Sequence, residues 1–374
     1  MKPSICLCMI VKNEARVIER CLASVRDLVD TWVISDTGST DGTRQLVRDA
    51  LDGIPGELRE EPWVNFGHNR TLNIRHARGR ADYLLLLDAD LVIERAGPLP
   101  ELTADAYLLR HAGALEYRIK RLVRGDLPWR YEGVTHEYLT IEPGHPQSHV
   151  SAHLDALVVK DFADGGSRHD KFERDARLLS AELERDPDDP RTVFYLAQTL
   201  RDLGRSAEAV DLYERRARMG GWDEEVSYAL LQAGILKAEA GDWPSAMDTL
   251  SRAWEARPQR LEACWELASR LRRMGRHHSA HAVVTAALDR EPPDDLLFLQ
   301  PWIYRWGLLF EFSITAYWVG DTAGSLAACD RLLAMPDLPE AHREQTRVNR
   351  EFAVRRLSSI PHAPAAVASV PAGE

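Results

Sequence analysis

The sequence lacks the signals that would assign it to several common classes of protein. Its five cysteines are scattered along 374 residues without C-x-x-C spacing, which argues against a zinc module or a disulfide framework and favours a reducing compartment. Asp and Glu (58) outnumber Lys and Arg (47), and the net charge of -11 disfavours nonspecific binding to nucleic acid. No apolar run approaches the length of a membrane span, and the N-terminal run reaches Lys12 too soon for a signal peptide. We therefore expect a cytoplasmic protein with no membrane span and no nucleic-acid partner.

The chain is 45% hydrophobic and 28% charged, a composition typical of globular proteins. Its length of 374 residues suggests two domains. Residues 1 to about 165 alternate short apolar runs with amphipathic segments, which indicates an α/β domain with a mostly parallel, Rossmann-like sheet. Cys6 and Cys8 alternate within the first apolar run, so we expect both in the core. Strands are predicted over residues 4–11, 31–35 and 82–87, and helices over residues 13–27, 39–51 and 67–78.

The second half of the chain carries a helical repeat. Four glycines are each followed five positions later by a small residue, in the pairs Gly204/Ala209, Gly241/Ala246, Gly275/Ala280 and Gly320/Ser325. Gly241 and Gly275 are 34 residues apart, which is the tetratricopeptide period. Glycine would end the first helix of each pair, and the small residue would let the two helices approach. An ordinary antiparallel bundle is the alternative. Residues 361–374 read as part of a flexible tail.

Two carboxylates, Asp88 and Asp90, follow the apolar run 82–87 with Ala89 between them. Open α/β sheets bind ligands outside the carboxyl ends of their strands, so this position suits a functional site. If the chain bends there, both carboxylates turn toward one pocket and offer oxygen ligands to Mg²⁺ or Mn²⁺. Such an ion would support a diphosphate as leaving group. The competing interpretation is a pair of ordinary loop or helix-capping acids.

Three segments in order resemble the family 2 inverting glycosyltransferases with a GT-A fold: ICLCMIVKNE (5–14), VISDTGSTDGT (33–43) and YLLLLDADL (83–91). The resemblance implies that Val11, Glu14 and Asp36 hold the base and ribose of a nucleotide-sugar donor, with Lys12 near the diphosphate. It also implies that the D-x-D residues Asp88, Ala89 and Asp90 hold ribose and metal-bound diphosphate. Glu14 and Asp36 have structural alternatives, at a helix N-terminus and in a turn. Asp41 is interpreted as a structural cap.

The helix predicted over 67–78 resembles the arginine-bearing helix of that family, which makes Arg70 a candidate for the diphosphate, although Thr71 stands where the family has Asn. An inverting transfer needs a base near the acceptor nucleophile. The segment WRYEGVTHEYL (129–139) resembles the H-E segment of related transferases. The resemblance makes Glu137 the candidate base and His136 a neighbour that would orient it or meet the metal, and ordinary loop acids are the alternative. Glu132 is the competing candidate.

The segment VVKDFADGGSRHDKFERD (158–175) resembles the junction of transferases that carry C-terminal tetratricopeptide repeats, a group that includes peptide glycosyltransferases. That group often has a His near the position of Asp161, so Asp161 is a candidate third metal ligand here. Arg168 and Lys171, beside the glycine-rich stretch, are candidate phosphate contacts, and an interdomain turn is the alternative.

Together these observations predict a GT-A domain over residues 1–163, a tetratricopeptide-like domain over 164–358 and a tail over 359–374. The predicted activity is metal-assisted transfer of a sugar, with inversion, from a nucleotide-sugar donor, with UDP-sugars favoured. The acceptor would be a peptide, a protein or a small molecule, and the helical domain would allow a homodimer. A degenerate transferase that serves as a binding scaffold is the alternative. Nucleotidyl transfer ranks last, because no glycine-rich loop follows the first strand.

Overall fold

The computed structural model describes residues 3–112, 117–162, 164–165, 171–295 and 297–359. The chain divides into two compact units, Met1–Leu203 and Gly204–Glu374. The first unit therefore includes two helices beyond residue 163, which the sequence had placed in the repeat domain. The first of these helices supplies side chains to the cleft described below, and the second contacts the segment that carries Glu137.

The first unit is an α/β domain. Its strands are β1 (Ile5–Val11), β2 (Thr31–Asp36), β3 (Gly56–Glu60), β4 (Tyr83–Leu86), β5 (Leu91–Arg95), β6 (Ala106–Ala112), β7 (Tyr117–Arg124), β8 (Trp129–Glu132), β9 (Tyr138–Ile141) and β10 (Ser151–Asp161). Its helices are α1 (Ile18–Val25), α2 (Thr43–Ala50), α3 (Phe66–Ala77), α4 (Lys171–Arg185) and α5 (Pro190–Asp202).

Eight strands form one sheet in the order β3-β2-β1-β4-β7-β6-β10-β5, and β8 and β9 form a separate hairpin. The first four strands run parallel, and β7 joins β4 antiparallel. Ile5, Leu7 and Met9 pack on one face of the sheet, whereas Cys6 and Cys8 pack on the other, so the prediction of core cysteines is confirmed. The mostly parallel α/β fold class is confirmed too.

The second unit is helical in its described residues. Its helices are α6 (Ser206–Met219), α7 (Asp223–Glu239), α8 (Trp243–Ala256), α9 (Glu262–Arg273), α10 (His277–Ala287), α11 (Leu308–Val319), α12 (Thr322–Leu333) and α13 (Glu340–Ser359). A π-helical turn, Ile303–Gly307, leads directly into α11.

The repeat predicted from glycine spacing matches these helices. Gly204, Gly241, Gly275 and Gly320 lie between consecutive helices with φ from 73° to 94°, the left-handed region that favours glycine. The small residues five positions later, Ala209, Ala246, Ala280 and Ser325, are fully buried. The tetratricopeptide-like second half is therefore confirmed. Of the predicted tail, Ser359 ends α13 and residues 360–374 lie outside the described residues. Within the described chain, no helix has the length and apolar character needed to cross a bilayer.

Candidate active site

A cleft of about 550 Å³ lies at the carboxyl ends of β1 and β4. Eleven residues predicted from the sequence line it: Val11, Lys12, Glu14, Arg70, Asp88, Ala89, Asp90, His136, Glu137, Asp161 and Lys171. These residues come from strand ends, from α3, from the segment between β8 and β9 and from the start of α4. The fold thus brings together residues that are up to 160 positions apart in the sequence.

Arg70 is the centre of the charged part of the cleft. Its guanidinium contacts Asp88 Oδ1, and its Nε lies 2.7 Å from Glu137 Oε1. The Tyr131 ring centroid lies 5.7 Å from the same guanidinium. Thr71, the departure from the family pattern, accepts a 2.9 Å hydrogen bond from Tyr131 N–H, so it ties α3 to β8. Arg70 therefore joins the D-x-D segment to the candidate base.

Asp88 also has a second cationic neighbour, Arg121 of β7. Arg121 Nη1 donates to Asp88 Oδ2 at 3.3 Å, and Arg121 Nε donates to Nε2 of the buried His111 at 3.3 Å. Burial raises the pKa of the Asp88 carboxyl, but the charges of Arg70 and Arg121 outweigh it and lower that pKa to about 2. Burial, aided by Arg121, lowers the pKa of His111 to about 4. Near neutral pH Asp88 is thus ionised and His111 neutral.

Asp90, the second carboxylate of the D-x-D segment, and Asp161 both line the cleft. Asp161 ends β10 and pairs in register with Leu91, the residue after Asp90. Gly165 approaches Asp90 so closely that an added Cβ would lie 3.0 Å from Asp90 Oδ2. In the part of the chain that is described, no group of three or more His, Cys, Asp and Glu side chains is arranged to hold a metal ion. Arg168 lies outside the described residues.

The loops after β1 and β2 also line the cleft. Asp36 is 1% exposed and does not belong to the residues lining the cleft. Its Oδ1 accepts hydrogen bonds from Gly38 N–H (3.0 Å) and Ser39 N–H (2.9 Å), so it orders the loop. Direct contact of Asp36 with a donor stays a prediction. Asp41 Oδ1 accepts from Thr43 N–H at 3.0 Å, which confirms its structural role.

The segment that carries Glu137 is shaped by two glycines. Gly133 has φ 100°, and its carbonyl oxygen would lie 2.1 Å from a Cβ added to Gly67 at the start of α3. His136 also adopts a left-handed conformation, with φ 50°. Burial lowers the pKa of its imidazole below the usual range. The close contact between Gly67 and Gly133 brings the Glu137 segment against the helix that carries Arg70.

Comparison with known proteins identifies a family for part of the first unit. The family model described as glycosyl transferase family 2 matches residues 6–135, which contain β1, the D-x-D segment and Arg70. Residues 6–135 are a family 2 glycosyl transferase domain.

Two relatives extend beyond the family 2 domain. A TPR repeat-containing protein of Synechococcus elongatus is 30% identical over 268 residues, which cover 66% of this chain and 65% of that protein. The SPbeta prophage-derived glycosyltransferase SunS of Bacillus subtilis is 24% identical over 232 residues, which cover 57% of this chain and 53% of SunS. The chain thus spans less than two thirds of the length of either relative. Among solved structures, MamA is 16% identical with a TM-score of 0.34, covering 53% of this chain and 95% of MamA.

Several residues that line the cleft, from the family 2 domain and from α4, were not predicted from the sequence. Trp63, Phe66 and Thr135 line the cleft, as do Arg174 and Asp175 of α4. Arg174 was visible only as one charge in a charged stretch, and Arg121 reaches Asp88 only because β7 runs antiparallel beside β4. The sequence carries no signal for that strand pairing.

Proposed function

We propose that this protein transfers a sugar from a nucleoside-diphosphate donor to a nucleophilic acceptor, with inversion at the anomeric carbon. One observation carries the proposal. The D-x-D residues and Arg70 of the family 2 domain face the same cleft as Glu137, just beyond that domain, and the cleft has about 550 Å³ of space. A cleft that combines charged and polar contacts for a diphosphate with a carboxylate base beside them suits a nucleotide-sugar donor.

The donor is held, in this proposal, along the ends of β1 and β4. Val11 and Glu14 border the nucleoside, and Lys12, Arg70 and Lys171 provide positive charge for the diphosphate. A UDP-sugar is the favoured donor, on the strength of the family resemblance. Diphosphate oxygens would compete with Glu137 for Arg70, because guanidinium binds phosphate as well as carboxylate in paired hydrogen bonds. Donor binding would then release Glu137 from its present ion pair.

The chemical step is a single displacement. Glu137 takes the proton from the acceptor nucleophile, and the nucleophile attacks the anomeric carbon from the face opposite the diphosphate. The bond from that carbon to the diphosphate oxygen breaks, and the nucleoside diphosphate leaves with the electron pair. One attack from the opposite face inverts the anomeric configuration. His136, the neighbour of Glu137, contributes through the conformation of the segment.

A divalent Mg²⁺ or Mn²⁺ ion fits part of the predicted ligand set. Asp90 and Asp161 both line the cleft and carry the hard oxygen atoms that these ions prefer. Asp88 fits less well as a direct ligand, because guanidinium groups contact both of its carboxylate oxygens. When bound, the ion would neutralise charge on the leaving diphosphate.

The acceptor is proposed to be a peptide or protein side chain. Helical repeats in general offer extended surfaces for such partners, and the second unit of this chain is built of such repeats. The resemblance of the junction segment to peptide glycosyltransferases points in the same direction.

The test is release of nucleoside diphosphate from UDP-glucose, UDP-N-acetylglucosamine or GDP-mannose, with water or added peptides as acceptor. Proton NMR of the product reads the anomeric configuration. We expect turnover of one donor class, with a β-linked product from an α-linked donor. Turnover with retained configuration would contradict the mechanism. A chain that binds and turns over none of these donors would favour the scaffold interpretation.

A further inference from the structure

The segment that carries Glu137 is held in place by α5. Arg191 Nη2 donates a 2.9 Å hydrogen bond to the carbonyl oxygen of His136. The guanidinium of Arg191 lies 4.7 Å from the ring centroid of Tyr138 and 4.7 Å from that of Tyr195. One arginine therefore contacts the residue before Glu137 and the residue after it.

Tyr195 makes a second contact with the same segment. Its ring stacks on the His136 imidazole with centroids 4.4 Å apart and planes 8° apart. His136 has φ 50°, a conformation that is uncommon for a residue other than glycine and that needs support from its surroundings. The stacking and the Arg191 hydrogen bond supply that support.

Arg191 is itself fixed at the first turn of α5. Asp189 caps this helix by accepting hydrogen bonds from Arg191 N–H (3.2 Å) and Thr192 N–H (2.9 Å). Pro190 occupies the first turn, where its fixed φ suits a helix start. The guanidinium thus extends from a rigid helix end and not from a loop.

We propose that Arg191 and Tyr195 are positioning residues that set the orientation of Glu137. The proposal rests on the proposed function, in which Glu137 is the base. Both neighbours of Glu137 are held by α5, whereas the Glu137 side chain itself enters the cleft. A helix that the sequence assigns to the repeat domain then contributes to catalysis, because it determines where the base stands relative to the acceptor.

Hydrogen exchange tests the physical contact in the full chain. We expect amide exchange in residues 133–138 to accelerate at least about tenfold in Arg191→Ala, the factor expected from losing one charge-assisted hydrogen bond. Tyr195→Leu should accelerate it too, because the ring is lost, whereas Tyr195→Phe keeps the ring and serves as the matched control. Thermal melting of each variant verifies that the whole domain remains folded.

Kinetics test the consequence for the base. With the donor that the wild type turns over, Arg191→Ala should lower kcat by about tenfold to a hundredfold through misplacement of Glu137. The donor KM should stay within about twofold, because α5 does not line the donor end of the cleft. Arg191→Lys should recover part of kcat. In a Glu137→Gln background, Arg191→Ala should have little further effect, since residues that act through one group are non-additive.

The outcomes distinguish a failure of the positioning role from a failure of the proposed function. Unchanged exchange in residues 133–138, or fully additive losses in the double variant, would overturn the positioning role in an enzyme that remains active. A wild-type chain that releases no nucleoside diphosphate from any donor would overturn the proposed function, and the positioning role would fall with it.

Discussion

At the scale of single residues, the cleft is dominated by arginines that contact carboxylates. Arg70 contacts Asp88 and Glu137, and Arg121 contacts Asp88 from the other side. Burial lowers the pKa of the Arg70 guanidinium, but the charges of Asp88 and Glu137 outweigh burial and raise it. Arg70 therefore remains cationic. In the proposed function, an incoming diphosphate would replace a carboxylate at Arg70.

The role of Glu137 can be separated from that of its competitor by two isosteric variants. Glu137→Gln should lower the rate of nucleoside diphosphate release by about 10²–10⁴-fold, because an amide cannot take the acceptor proton. Donor affinity, measured by titration calorimetry, should change little. Glu132→Gln is the matched control. Glu132 ends β8, pairs with Arg130 at 2.7 Å and does not belong to the residues lining the cleft. Equal losses in both variants would refute the assignment.

Arg121 has a predicted effect on stability that depends on pH. The pKa of Asp88 in the folded chain is about 2, against about 3.9 for an unfolded Asp, so its ionisation stabilises the fold by about 2–3 kcal/mol above pH 4. This stabilisation is lost as the pH falls from about 4 toward 2. Arg121→Met should lower the free energy of unfolding at neutral pH by about 1–2 kcal/mol, and the difference from wild type should shrink in acid.

Urea unfolding near pH 7 and near pH 3 measures that difference. Arg118→Met is the control on the same strand, because Arg118 pairs with Asp155, whose side chain is 74% exposed, and such pairs contribute about 0–1 kcal/mol. A difference between Arg121→Met and wild type that is independent of pH would show that Arg121 does not act through Asp88.

At the scale of elements, the close contact between α3 and the segment before Glu137 depends on two glycines, Gly67 and Gly133, which have no side chain. A Cβ at residue 67 would lie 2.1 Å from the carbonyl oxygen of Gly133, and a Cβ at residue 133 would lie 3.4 Å from the Cα of Glu137. The helix that carries Arg70 and the segment that carries Glu137 are therefore positioned together.

Gly67→Ala tests this contact. We expect it to lower the free energy of unfolding by about 1–3 kcal/mol through overpacking and to reduce turnover, because the Arg70–Glu137 distance changes. Gly97→Ala is the matched control, since no atom lies within 4 Å of the added Cβ. Urea unfolding and nucleoside diphosphate release provide the two readouts. Wild-type stability in Gly67→Ala would contradict the packing argument.

Local patterns were sufficient to predict many elements of the first unit. The strand over 82–87, the helix over 67–78 and the helix over 39–51 correspond to β4, α3 and α2, with ends that differ by at most four residues. The family motifs led to eleven residues that line one cleft. Arg121 and His111 could not be predicted, because their place depends on the register of β7 beside β4 and β6. Sequence periodicity does not encode which antiparallel strands become neighbours.

The sequence did not predict that α4 and α5 contribute to the site, for a different reason. Both helices have the amphipathic character of repeat helices, so the sequence placed them with the repeats after residue 163. Lys171, Arg174 and Asp175 of α4 line the cleft, and α5 contacts the Glu137 segment. Helical periodicity predicts which face of a helix is buried, but it does not predict against which unit that face packs.

At the scale of the whole molecule, the chain joins a family 2 glycosyl transferase domain to helical repeats. The repeat half was predictable, because four glycines are each followed five positions later by a small residue. In the structure these glycines adopt the left-handed conformation and the small residues are fully buried. The matches to the two relatives cover only 65% and 53% of their lengths, so the donor and acceptor of this protein must be measured on this protein.

The most direct test of the central claim is titration calorimetry of UDP-glucose, UDP-N-acetylglucosamine and GDP-mannose against the full chain. Each donor is titrated with Mn²⁺ and with chelator, into wild type and Asp90→Ala. A family 2 transferase that uses the D-x-D residues should bind one donor class only with the ion, and Asp90→Ala should lose that binding. Failure of every donor to bind wild type, or equal binding by wild type and Asp90→Ala, would contradict the account.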